Sequence, residues 1–424
     1  MAKKADTQEP ESALETTLGW LAIVLAFALP LYRPWVTLAT TAILVLWLFG
    51  GGLAERGRRL RGHRLTIAVL VFLGLNIVSL VWTSDLSSGL RYLTKYRYFL
   101  LLPMIASVAR PVYRRWTVNA FEIAAGVSVV LSVGVFIGWL RFRDAHPGNP
   151  SPTMAHLDFG IVLALASLLA LARVLYSDLP VGRRVLWACL AVVITFGLVI
   201  NIGLAGQFAF VGGLMVLFVH WVWGRPMRFV VGASAGFALT LLAIWFSVPQ
   251  IRAQFAGIHS ELEAAMIDQE FDSNIGGRVA AMKVAREVFQ MHPLLGTGVG
   301  GNIPALRHEL DTHFEKLKPS IYWYPHYHNQ YAQIATELGT VGLASLAWIF
   351  WELIRVRHRR RETDAAALIL ATVYVLGFFG EPYFHKQITL VLFALLSGLI
   401  SAEDLEEPEP AGVFRTSFRR RKAE

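Results

Sequence analysis

The chain has 424 residues, of which 55% are apolar and only 16% charged, with a mean hydropathy of +0.50. A soluble domain usually carries about 25% charged residues, so a soluble enzyme and a disordered chain are both excluded. The formal charge of +9 does not point to nucleic acid, because the basic residues sit in short clusters between apolar runs, the distribution expected of a membrane protein.

The first 17 residues are polar and include Glu9, Glu11 and Glu15. That is a poor signal-peptide start, so the first apolar run is expected to stay as a span. Apolar runs fall at 14–31, 35–53, 65–82, 92–109, 116–140, 154–176, 185–203, 207–223, 229–248, 333–354, 365–380 and 387–402. The fourth starts among Arg91, Lys95 and Arg97. Each run approaches the roughly 20 residues that a spanning helix needs. The fold class read from this pattern is an all-α polytopic membrane protein of about 12 transmembrane helices.

An even number of spans puts both termini on one side. With the N-terminus inside, the inner segments carry 24 Lys and Arg and the short outer loops carry 4. This fixes the orientation by the positive-inside rule. Cys189 is the single cysteine and lies in an apolar run, so neither a disulfide framework nor a cysteine metal site can form within one chain.

One connection breaks the short-loop pattern. Residues 249–332 join the ninth and tenth spans on the outer side, and loops of that length are usually functional. The expected organisation is spans one to nine over 1–248, an outer catalytic loop over 249–332, spans ten to twelve over 333–402 and a basic inner tail over 403–424. Within the loop, residues 252–272 look helical. Residues 278–291 place Val279, Met282, Ala285, Val288 and Phe289 on one helical face. The glycine run 296–301 can approach a phosphate closely. It lacks a Lys-Ser/Thr ending and follows no strand, which argues against a nucleotide site.

The sharpest constellation is His326-Tyr327-His328-Asn329-Gln330, at the outer end of the tenth span. A histidine there can take a proton near neutral pH. Its neighbour two residues away and the adjacent amides can orient it or hold a substrate. An interfacial aromatic belt explains Tyr322, Trp323 and Tyr324, but not two histidines with an Asn and a Gln. His326 and His328 alone are too few ligands for zinc, so no metal and no other cofactor is expected. Upstream, Gly276-Gly277-Arg278 opens a helix. Free backbone N–H groups and a guanidinium fork there suit a phosphate. Further polar residues mark other outer ends: Arg141, Arg143 and His146 in one loop, His156 and Gln207 at span starts, and Glu381, His385 and Lys386 in the last loop.

Taken in order, Gly-Gly-Arg, His-Pro-Leu-Leu-Gly-Thr-Gly-Val-Gly, His-x-His-Asn-Gln-Tyr and Glu337-Leu338-Gly339-Thr340-Val341-Gly342, set among many spans, resemble the O-antigen ligase and polymerase superfamily of bacterial envelopes. The likeness is nearest to O-antigen ligases. It implies a metal-independent, GT-C-like membrane glycosyltransferase of the inner membrane with a periplasmic active site. The implied donor is undecaprenyl pyrophosphate-linked O-antigen and the implied acceptor a sugar hydroxyl of lipid A–core. By the same resemblance His328 falls on the essential histidine and Arg278 on the arginine that engages the donor pyrophosphate. His326, Asn329 and Gln330 would assist in binding. Where such proteins often carry an arginine at the start of the eighth span, this chain has Gln207. Arg141, Arg143 or Lys386 would then supply the missing charge. An O-antigen polymerase and a protein O-oligosaccharyltransferase share this donor and base. A transporter, the rival of another class, fits less well because the spans are nearly free of charge at their centres.

Overall fold

The computed structural model describes residues 13–142, 144–247, 249–355, 358 and 360–405. Among these residues the regular structure is helical, and the sole β feature is an isolated bridge between His146 and Asn149. This follows from the composition. An apolar segment that leaves water must satisfy its backbone groups within itself, and a helix does so.

Six helices are long and apolar enough to cross a membrane: Arg64–Val81, Pro111–Phe136, His156–Tyr176, Val181–Ile200, Leu204–Val222 and Gln330–Arg355. A seventh candidate is the pair Arg33–Phe49 and Leu53–Arg59, bent by 102°. Gly51 and Gly52 turn that corner at φ +85° and +64°, which L side chains rarely adopt. Shorter apolar helices cover Ala13–Ala28, Met227–Leu239 and Gln387–Ser401. The fourth apolar run of the sequence is not one helix. It is divided into Leu86–Tyr96, a 3-10 turn at Arg97–Leu100 and Leu101–Val108.

The helices differ in depth. His156–Tyr176 has 78% of its apolar window buried, and Gln387–Ser401 is buried from Ile388 onward. These two form the centre. Val181–Ile200 and Leu204–Val222 are only 22% buried, and their outward faces carry Val192, Phe196, Phe208 and Met215. Such apolar outer faces suit lipid rather than water.

The 249–332 segment has a small core of its own, made by Ala280, Ala281, Val284, Val288, Leu306, Leu310, Ile321 and Tyr327. Its main helix, Asn274–Met291, starts at Ser273, whose Oγ accepts the Gly276 N–H at 2.9 Å. The buried face overlaps the one the periodicity suggests, with Ala285 and Val288 interior, but is shifted toward its small residues. Gly277, Ala280, Ala281 and Val284 face inward, and Met282 is exposed. Close packing explains this: a Cβ on Gly277 would lie 2.2 Å from the Tyr324 hydroxyl.

A further device ties this segment to the bundle. The Gln330–Arg355 helix breaks at Gly339, with φ +63° and ψ −155°. The glycine run packs into the break. Thr297 and Gly298 donate to the carbonyls of Thr336 and Glu337 at 2.8 and 2.9 Å, and Thr340 donates to Pro293 at 2.8 Å. The contact is too close for side chains: a Cβ on Gly339 would meet the Leu294 carbonyl at 2.3 Å.

Candidate active site

The His-Tyr-His-Asn-Gln stretch is held from both ends. Tyr327 is fully buried in the small core and its hydroxyl donates to the Asn302 carbonyl at 3.2 Å. Asn329 caps the following helix, its Oδ1 accepting the Ala332 N–H at 3.0 Å. Between these anchors His328 takes the left-handed conformation at φ +51°, uncommon for a residue with a Cβ. Strain of this kind clusters at functional sites.

The last loop is fastened to the same helix start. Gln330 donates its N–H to the Phe378 carbonyl at 2.9 Å and accepts the Phe384 N–H at Oε1, 2.8 Å away. The Asn329 amide reaches the Phe379 carbonyl at 3.4 Å. Both side chains are buried and are thus occupied in positioning the 378–386 loop. That loop carries Glu381 into the histidine pair.

Glu381 is the hub of the site. It is 1% exposed. His328 Nδ1 lies 2.9 Å from its Oε2, His326 Nε2 lies 3.3 Å from its Oε1, and Lys386 Nζ lies 3.1 Å from the same Oε1. Burial pushes the Glu381 carboxyl up, but the His328 hydrogen bond and the Lys386 ammonium outweigh it and hold it down at about 2. Glu381 is therefore a carboxylate at neutral pH. Burial is also the main force on His326, lowering it to about 3 against the pull of Glu381. His326 is neutral, and its two nitrogens are both engaged: Nδ1 accepts the His328 N–H at 3.3 Å, which leaves the proton on Nε2 to point at Glu381.

His328 is different. With Nδ1–H donated to Glu381, its Nε2 keeps a lone pair and has no hydrogen-bond partner among the described residues. The Tyr324 ring packs edge-on against the imidazole at 4.9 Å between centroids. A carboxylate–imidazole pair of this form fixes the tautomer and stabilises the cation formed when Nε2 takes a proton.

Arg278 reaches the same loop. Its Nη1 donates to the Gly380 carbonyl at 2.5 Å and its Nε to Asn274 Oδ1 at 3.4 Å. The structure thus places the sequence-selected Arg278, His326, His328 and Lys386 around Glu381. Lys386 also pairs with Asp158 Oδ1 at 3.1 Å. Although burial works against it, Asp158 and Glu381 hold the ammonium above its usual value.

Other sequence candidates lie elsewhere. Gln207 donates to the carbonyls of Asn201 and Leu198, at 2.8 and 3.2 Å, and so caps the end of the preceding helix. Arg141 is exposed, and Arg143 lies outside the described residues. The glycine run offers no free amides. From Gly296 to Gly301 each backbone N–H is already donated, Val299 to Ser79 Oγ and Gly300 to Glu337 Oε1 among them.

His326, His328 and Glu381 offer three ligand atoms within 4.8 Å of one another, a spacing that could take a metal ion. The Lys386 ammonium on the same carboxylate opposes a divalent cation there. Behind the site, Glu337 and His385 form a second buried pair at 3.6 Å, with the Tyr96 hydroxyl 2.5 Å from His385 Nε2.

Sequence reasoning named Glu381 only as one of several polar residues at the outer ends of spans, and missed Asp158. The available signal was the density of titratable groups in the six-residue loop 381–386 and an acid in the first turn of an otherwise apolar helix. Residues 189–347 match the family model described as O-antigen ligase. The match takes in Arg278, His326 and His328 and ends before Glu381. No curated protein matches the chain.

Proposed function

We propose, from the match of residues 189–347 to the O-antigen ligase family model, that the chain is a membrane glycosyltransferase that moves O-antigen from undecaprenyl pyrophosphate to a sugar hydroxyl of lipid A–core. The reading takes about 12 spans in a GT-C-like arrangement, both termini in the cytoplasm of a bacterial inner membrane, and the site at the periplasmic face.

The observation that carries it is the His328–Glu381 pair, bonded at 2.9 Å with Nε2 left open. A sugar hydroxyl is a poor nucleophile at neutral pH. His328 Nε2 takes its proton as the oxygen attacks the anomeric carbon. The new C–O bond forms as the bond to the pyrophosphate oxygen breaks, and undecaprenyl pyrophosphate leaves with the electron pair. A single displacement inverts the anomeric centre. Glu381 holds the imidazole in the accepting tautomer and offsets its new charge, as in other carboxylate–histidine pairs. Arg278 meets the charge that grows on the leaving group. Its fork has five donors, and the Gly380 and Asn274 bonds leave others for phosphate oxygens. The bridging of Glu381 and Asp158 by Lys386 supports a role for it in positioning.

The test uses the purified full chain in nanodiscs without added metal. Lipid-linked O-antigen and lipid A–core are mixed, and the product is read as a high-mass ladder on a gel. Wild type should give the ladder. His328→Asn, whose side chain tolerates the left-handed backbone, should not. A ladder from the variant would remove His328 as the base. Longer lipid-linked glycan without a ladder would make the chain a polymerase instead.

A further inference from the structure

The helices that carry the candidate site frame a second, half-open chamber at their other ends. On His156–Tyr176, Asp158 faces the site and Arg173 lines this chamber, 15 residues later, about 22 Å along the helix axis. Arg361–Gly377 and Gln387–Ser401 likewise run from one to the other. The chamber has a volume of about 730 Å³, within the usual range for small-molecule sites.

Its lining is of two kinds. Arg114, Arg115, Arg173, Arg225, Arg360 and Arg361 all contribute to it. Leu169, Leu370, Leu396 and Leu399 form apolar walls. Three carboxylates also line it, Asp178, Glu362 and Glu403. Two of them are engaged: Glu362 accepts from Ser177 Oγ at 2.6 Å, and Glu403 accepts from Thr363 Oγ1 at 2.7 Å and from the Arg360 N–H at 3.2 Å. Six arginines thus line the chamber against three carboxylates in its wall and Glu122 behind Arg173. Arg173 is 4% exposed, stacks on Trp187, donates to Asn119 and pairs with the buried Glu122 at 3.1 Å and with Glu362 at 4.0 Å.

Arginines that only marked membrane orientation would not need an apolar-walled cavity between them. Here Arg173 is buried and Arg114 half-buried in the wall of a half-open cavity with leucine walls, and Arg115, Arg225, Arg360 and Arg361 stand exposed around it. We propose that this chamber binds the phosphodiester headgroup of an anionic membrane lipid, with the guanidinium groups on the phosphate and the leucine walls against the start of the acyl chains. Basic cavities between spans are suited to such headgroups. The proposal is independent of the glycosyl-transfer reading, since it uses none of the same residues.

The test compares the delipidated full chain in phosphatidylcholine nanodiscs with and without phosphatidylglycerol, reading Tm from tryptophan fluorescence. Phosphatidylglycerol should raise Tm, as any ligand of the folded state does. The double variant Arg115→Gln, Arg360→Gln should weaken the apparent lipid affinity roughly thirtyfold, since each basic group near a membrane surface contributes about 1 kcal/mol. Arg58→Gln, Arg61→Gln in a separate basic cluster should leave it unchanged. Arg115→Gln alone, on an exposed side chain, gives a smaller weakening in a variant whose fold is not in question. An unaltered lipid response in the Arg115 variants, or an equal loss in the Arg58/Arg61 variant, would overturn the proposal. So would an equal rise in Tm from inorganic phosphate alone, which would make the occupant a free anion.

Discussion

Replacing Glu381 by Gln tests the centre of the mechanism with little change of shape. The carboxylate sits 2.9 Å from His328 Nδ1 and is 1% exposed. When Nε2 takes the acceptor proton, the imidazolium charge lies about 4 Å from the carboxylate charge. At an effective dielectric near 20 that attraction is about 4 kcal/mol, or roughly 10³-fold in rate. Lys386, 3.1 Å from the same carboxylate, offsets part of it. An amide can also donate to Nδ1 and so favour the wrong tautomer. The expected fall in kcat is thus roughly 10²- to 10³-fold, inside the usual range for acid–base catalysis. KM for the acceptor should stay near its wild-type value. Initial rates of ladder formation with saturating donor measure both, and Tm checks the fold. A folded Glu381→Gln enzyme with kcat within about threefold of wild type would refute the orienting role.

Four other outcomes are expected. Arg278→Ala should raise KM for the lipid-linked donor at least about tenfold and leave acceptor KM little changed; equal donor affinity would detach Arg278 from the pyrophosphate. Acid should destabilise the protein through His326. Its folded value of about 3 lies below the ordinary 6.5, so its contribution is full above pH 6.5 and is lost as pH falls toward 3. By pH 4.5 the loss is roughly 2 to 3 kcal/mol, and His326→Gln should flatten the fall of Tm between pH 6.5 and 4.5; parallel curves would contradict the assignment. Gly339→Ala forces a Cβ into the Leu294 carbonyl at φ +63° and should lower stability by about 2 to 4 kcal/mol, read as a drop in Tm. Gln207→Ala removes two caps on the Leu198 and Asn201 carbonyls and should cost about 1 to 2 kcal/mol of stability without altering donor KM.

Hydropathy located the helices because a bilayer leaves an apolar segment few alternatives. It failed where polar residues interrupt a run: Leu86–Tyr96 and Leu101–Val108 are separate helices although the run from 92 to 109 reads as continuous. Periodicity found the Asn274–Met291 helix but misplaced part of its buried face. It counted bulky Met282 as interior, while close approach to Tyr324 puts Gly277 there, and Ala285 and Val288 of the predicted face stay buried beside it. The local motif delivered His326, His328 and Arg278. It could not deliver Glu381, which lies 53 residues from His328 and meets it only because Asn329 and Gln330 fasten the two stretches together. Gln207 and the glycine run resembled phosphate-site elements in one dimension. Their donors are satisfied by carbonyls and side-chain oxygens that no local pattern reveals.

The break at Gly339 has a consequence for how the chain is made. A span interrupted there enters a bilayer with unpaired peptide groups at Thr336, Glu337 and Thr340, and these find partners only in residues 293–298. That stretch precedes the helix in synthesis. Pairing of these groups therefore waits on the preceding loop folding back onto the helix. Placement of His326 and His328 and burial of the helix become one event.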